Sequence, residues 1–101
     1  MPMPKVYAVF ITDSNGIFID VDLDFCRVTG YSPDELASMG MADLLQPDQW
    51  TKYRRKMHTI NEKDLSTINI SGLTEKNGTE HSAMIRIVRI PDNLFLCALM
   101  L

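Results

Sequence analysis

Two runs of branched and aromatic residues, 6–12 and 17–22, flank Asp13-Ser14-Asn15-Gly16 near the start of the chain. The pattern predicts a β-hairpin, because a tight antiparallel turn needs positive φ, which Asn and Gly tolerate best. In the second run Ile17, Ile19 and Val21 alternate with Phe18, Asp20 and Asp22, so the two sets are expected on opposite faces, one of them wet. Across 23–45 the alternation stops, and Gly30, Ser32-Pro33 and Gly40 divide the stretch into short helical pieces. Ser32 suits an N-cap, Pro33 the first helical position, and Asp34 and Glu35 the positive end of the helix dipole.

Pro47 opens a longer helix, expected over 47–61, in which Trp50, Tyr53, Met57 and Ile60 recur at helical spacing as one apolar stripe. Lys52, Arg54, Arg55 and Lys56 lie off the stripe and read as a solvated basic edge. Three strands are expected after it, over 66–75, 80–90 and 94–101, separated by Lys76-Asn77-Gly78-Thr79 and Pro91-Asp92-Asn93. Connections that short suit only antiparallel neighbours. The fold class is α+β, with a five-stranded antiparallel sheet and its helices on one face.

The last strand is apolar on both faces: Leu94, Leu96, Ala98 and Met100 alternate with Phe95, Cys97, Leu99 and Leu101. Leu96 and Ala98 are expected to face the helices, with Phe95, Cys97, Leu99 and Leu101 outside. An uncovered apolar sheet face calls for a partner, and a homodimer through that outer face is expected.

A chain of 101 residues suits a single domain spanning 1–101. A net charge of -3 supplies no broad basic field, which argues against nucleic acid. No apolar run approaches the roughly 20 residues of a membrane span, and Met1-Pro2-Met3-Pro4-Lys5 lacks the apolar region of a secretory signal, so a cytoplasmic protein without membrane contact is expected. Cys26 and Cys97 form no Cys-x-x-Cys pair and read as reduced packing residues. His58 falls off the apolar stripe and His81 lies near a turn, so both are expected at the surface, and two separated histidines make no metal site. Asp20, Asp22 and Asp24 lack the glycine and the ligand count of a calcium loop. No phosphate-cradling glycine loop, nucleophile elbow or kinase signature is present, and no enzymatic activity is expected.

Thr29-Gly30-Tyr31-Ser32-Pro33-Asp34-Glu35-Leu36 resembles the central signature of PAS sensor domains. The likeness extends upstream to Val9-Phe10-Ile11-Thr12-Asp13-Ser14-Asn15-Gly16, and downstream through Asp43-Leu44-Leu45-Gln46-Pro47-Asp48 to Lys76-Asn77-Gly78. It implies a profilin-like sheet of order 2-1-5-4-3 and a sensory or regulatory role in signal transduction, as in two-component systems. It also implies an effector such as a histidine kinase or a cyclic-dinucleotide enzyme, the chain being one domain of a longer signalling protein. The sequence departs from the family pattern where Asp22-Leu23-Asp24-Phe25 stands for Asn-x-Ala-Phe, which exchanges an amide donor for a carboxylate.

In PAS domains the sheet and the long helix enclose an apolar chamber. The resemblance places Phe10, Thr12, Ile68, Ile70, Ile85, Ile87, Leu96 and Ala98 on its sheet wall, with Phe25, Trp50, Tyr53 and Met57 opposite. Whether those side chains line a ligand cavity or simply fill the core is a question of volume, which sequence leaves open. Cofactor identity stays open as well. Met39-Gly40-Met41-Ala42-Asp43-Leu44-Leu45-Gln46 lacks the reactive cysteine of the flavin photoreceptor motif, and Trp50 stands near where haem-binding relatives place their ligand, so neither chemistry is expected. Ligand sensing and ligand-free dimerisation or docking are the two leading functional readings, with a small α+β enzyme as a distant third.

Overall fold

The computed structural model describes residues 7–101, so the expected strand start at Val6 and the expectation resting on Met1 to Lys5 lie outside the described residues. The chain runs through β1 (Tyr7–Thr12), β2 (Phe18–Val21), α1 (Leu23–Thr29), α2 (Pro33–Leu36), α3 (Met41–Leu44) and α4 (Pro47–Thr59). It then forms β3 (Leu65–Thr74), β4 (Glu80–Ile90) and β5 (Leu94–Met100), with one 3-10 turn at Pro91–Asn93 before the last strand. The five strands form one antiparallel sheet in the order β2-β1-β5-β4-β3, as the resemblance implies. The last strand thus lies in the middle, between β1 and β4.

The β1–β2 turn is built on Asp13, whose Oδ1 accepts the Asn15 and Ile17 amides at 2.9 and 3.0 Å. Only Gly16 takes positive φ there, at 78°, while Asn15 does not. The turn ends in a register shift between Ile11 and Thr12, and this overturns the expected faces of β2. Phe18 pairs with Thr12 and is buried, whereas Ile17 and Ile19 are exposed. A bulge supplies the extra residue that breaks a strict period of two.

Asp22 caps α1, with Oδ1 accepting from the Phe25 amide at 2.8 Å and Oδ2 from the Val9 amide at 2.9 Å. Both carboxylate oxygens are therefore used as acceptors, and the departure from the family's Asn is satisfied by two backbone N–H groups instead of an amide donation. Ser32 and Glu35 form a reciprocal capping box on α2, at 3.1 and 2.9 Å. Lys76 of the β3–β4 turn reaches back to Glu35 at 2.6 Å and sets its amide on the Thr29 carbonyl at 2.8 Å. That contact ties the hairpin to the helical segment and holds the Glu35 carboxyl below its ordinary pKa, chiefly through the Lys76 hydrogen bond.

The helices cover one face: α1 packs on β1, α2 on β2 and α4 on β3. Beneath them Phe10, Ile85, Ile87, Cys97 and Leu99 of the sheet meet Phe25, Leu36, Met41, Leu44, Tyr53 and Met57, all buried. Burial of this kind contributes about 25 cal/mol per Å² of apolar surface removed from water.

Candidate functional site

The pairing of β1 with β5 fixes which side chains share the inner face, since residues directly opposite in an antiparallel ladder point the same way. Phe10 lies opposite Cys97 and Thr12 opposite Phe95; on the other flank Ile87 lies opposite Cys97 and Ile85 opposite Leu99. Phe95, Cys97 and Leu99 are consequently buried under the helices, and Leu96 and Ala98 lie on the outer face, with Leu96 38% exposed. This reverses the expected faces of β5. The strand is apolar on both sides, so its own alternation carries no information about phase; the neighbouring strands set it. Leu101 is half-buried and packs against the core.

The remaining expected chamber residues do converge. Phe10, Thr12, Phe25, Tyr53, Met57, Ile68, Ile70, Ile85 and Ile87 are all buried between sheet and helices. Several of their side chains touch one another across that space. The Phe10 and Phe25 rings lie 4.5 Å apart between centroids, and Phe18 sets its edge to them at 5.8 and 5.2 Å. Tyr53 reaches across from α4 to place its hydroxyl 3.3 Å from the Cys97 sulfur, and Thr12 donates to the Met57 sulfur at 4.0 Å. Burial pushes the Cys97 thiol up to about 12 and raises the Tyr53 phenol well above its ordinary value. Both groups stay neutral at physiological pH, which suits packing and not nucleophilic chemistry.

Trp50 sits at the rim, half-buried, its ring 6.2 Å from that of Tyr53 and nearly parallel to it. His58 is exposed on α4, with Nε2 3.2 Å from the Ser14 carbonyl oxygen, and His81 pairs with Glu75 at 2.5 Å. Cys26 is half-buried beside Asp22, and desolvation first and that carboxylate second raise its pKa. Among the described residues no three His, Cys, Asp or Glu side chains gather as a metal site. No helix among them is long and apolar enough to cross a membrane.

The outer face, where association is expected, carries other residues than those named for it. Its side chains form rows across the strands: Tyr7, Met100, Met84 and Asn69; then Val9, Ala98, Arg86 and Thr67; then Ile11, Leu96, Val88 and Leu65. Tyr7 is 50% exposed, Val9 42%, Met84 39% and Leu65 60%, so the apolar character of the face is presented to solvent. Tyr7, Val9, Ile11 and Met84 were not among the expected surface residues. The alternation of Val9 and Ile11 with Phe10 and Thr12 in β1 is the signal that could have found them.

A second surface feature lies at the β3 edge of the sheet, where α4 meets that strand. A cleft of about 460 Å³ is lined by Lys52, Arg55, Lys56, Thr59, Thr67, Ile68 and Asn69. It adjoins another of about 420 Å³ that shares Lys52 and Asn69.

No family model matches the sequence, and no curated protein matches it. Solved structures do match in fold. The PAS domain of an HTR-like protein from Haloarcula marismortui superposes with a TM-score of 0.83 at 13% identity, over 96% of this chain and 83% of that one. A domain of a sensory box sensor histidine kinase/response regulator from Geobacter sulfurreducens gives 0.74 at 18% identity, over 95% and 82%. The PAS domain of the quorum-sensing receptor RpfR from Cronobacter turicensis, in complex with BDSF, gives 0.74 at 13% identity, over 92% and 90%. The chain has the PAS fold.

Proposed function

We propose that this chain is a sensory or regulatory module of signal transduction that works by protein association through the outer face of its sheet. The observation that carries the reading is the apolar surface made by Tyr7, Val9, Met84 and Leu96, continuous across three strands and open to solvent. Its occupant in this reading is a second copy of the chain, because a two-fold pairing of identical faces buries the same rows on both sides. Arg86, in the middle row, sets the polar limit on how two copies can be laid together.

Signalling then follows from differential affinity. A dimer or partner biases an attached effector, a histidine kinase or a cyclic-dinucleotide enzyme, only as far as it binds one arrangement of the sheet better than another. The tight aromatic cluster of Phe10, Phe18 and Phe25 favours this route over a guest in the core. A ligand-sensing reading draws support from the fold shared with the BDSF-bound RpfR domain, and it requires those rings to part.

Replacing the PAS domain of a histidine kinase with this chain tests the proposal. Autophosphorylation is expected to change when Val9→Lys and Leu96→Lys are introduced together. Activity insensitive to that change, with a small molecule recovered from the chain by native mass spectrometry, would favour ligand sensing and reject the docking role.

A further inference from the structure

The cleft between α4 and β3 borders the outer face at Thr67 and Asn69, but its cations come from α4 and give it a chemistry of its own. We propose that it binds a small multivalent anion, a metabolite bearing phosphate or carboxylate groups, held between Lys52, Arg55 and Lys56 of the helix and the open edge of β3.

Charge is the first argument. Lys52, Arg54, Arg55 and Lys56 place four cations within five residues of a chain whose net charge is -3. No Asp or Glu lines either of the adjoining clefts. Among the described residues the carboxylate ion pairs go to Arg27, Lys76 and His81, which leaves Lys52, Arg55 and Lys56 without a counter-charge within ion-pair distance. Lysine ammonium groups beside a guanidinium fork are the donor set that phosphate and carboxylate oxygens accept best.

Backbone geometry is the second. The sheet ends at β3, so one edge of that strand has no neighbouring strand. Lys52 donates to the Asn69 carbonyl at 2.6 Å, and Gln49 Oε1 accepts the Ser71 amide at 3.1 Å, which shows that the odd-numbered residues turn their backbone groups to this edge. By the alternation of an antiparallel ladder the amides of Thr67 and Asn69 point the same way, as further donors beside the cations.

Size and shape select the class of ligand. The volume of about 460 Å³ falls within the roughly 300–1,000 Å³ of small-molecule sites. An acidic peptide added as a sixth strand would need the same edge along its length, and the side chains of Lys52 and Gln49 already hold two of its groups. A compact anion fits beside those bridges without displacing them. The anion site rests on the cations of α4 and the docking reading on Val9 and Leu96, none of them shared, so either can fail alone.

The test is an amide-resolved NMR titration with sodium tripolyphosphate and, separately, sodium citrate, each against sodium chloride at matched ionic strength. Saturable shifts are expected along α4 and at Thr67, Asn69 and Ser71, the stronger probe telling whether phosphate or carboxylate is preferred. Arg55→Ala with Lys56→Ala is expected to weaken binding by about tenfold or more, the worth of a lost charge-assisted hydrogen bond. Arg54→Ala, which removes one charge from the same helix outside both clefts, is expected to leave it intact. Arg55→Gln serves as the second variant, and thermal unfolding checks that each remains folded. Linear non-saturating shifts, an equal loss in Arg54→Ala, or binding of a polyglutamate peptide where neither small anion binds would overturn the proposal.

Discussion

Gly16 and Trp50 are in contact through space that no side chain at position 16 can share: a Cβ there would lie 2.6 Å from Trp50 Cη2 and 2.9 Å from Cζ3. Gly16 also holds φ at 78°, a region that costs an L-residue roughly 1–2 kcal/mol. The indole that caps the rim of the core therefore rests on the β1–β2 turn.

Gly16→Ala is expected to lower stability by about 2 kcal/mol or more, as backbone strain and overpacking combine. In a Trp50→Phe background, which removes the crowded ring atoms, the same substitution is expected to cost only about 1–2 kcal/mol, the backbone part. Urea unfolding of the two single variants and the double variant measures the difference. Equal costs in both backgrounds would mean that the ring contact carries no energy.

The phase of β5 gives a second prediction. Phe95, 3% exposed, is expected to cost about 3–5 kcal/mol on truncation to Ala, the range for a buried aromatic. Leu96→Ala, one residue on and facing out, is expected to fall within about 0.5 kcal/mol. Chemical denaturation of the two variants checks this, and a larger loss at Leu96 would reverse the face assignment.

That pair of residues also shows how far the sequence reaches. The hairpin, the capped helix at Ser32, the stripe of α4 and the strand meander were legible because each depends on local residue types: Asp13 to Gly16, Ser32-Pro33, Trp50 to Ile60, Lys76-Asn77-Gly78. So was part of the interior, from Phe10 and Thr12 to Ile85 and Ile87. The faces of β2 and β5 were not. A bulge at Ile11 and Thr12 turned Phe18 inward, and the two apolar faces of β5 left its orientation to the pairing Phe10↔Cys97. Likewise, Lys52, Arg55 and Lys56 form an exposed edge in the helix and become a cleft wall only beside β3.

Alkaline pH addresses the Tyr53–Cys97 pair. The Cys97 thiol has an ordinary value of 9.0 and is pushed up to about 12 in the folded chain, by burial foremost. Tyr53 is shifted in the same direction. As pH rises past 9 the unfolded chain releases these protons while the folded chain keeps them, so stability is expected to fall progressively up to about pH 12. Cys97→Ala with Tyr53→Phe is expected to flatten that fall, although its stability at neutral pH is lower. Unfolding midpoints between pH 8 and about 11 follow it, and an unchanged alkaline slope in the double variant would assign the loss to other groups.

Sedimentation velocity across a concentration series measures the docking face most directly. The chain is expected to pass from monomer to dimer as concentration rises, with Val9→Lys and Leu96→Lys together holding it monomeric while its fold, followed by circular dichroism, is unchanged. A single monomeric species at high concentration, or a dimer that survives both lysines, would contradict association through the outer face of the sheet.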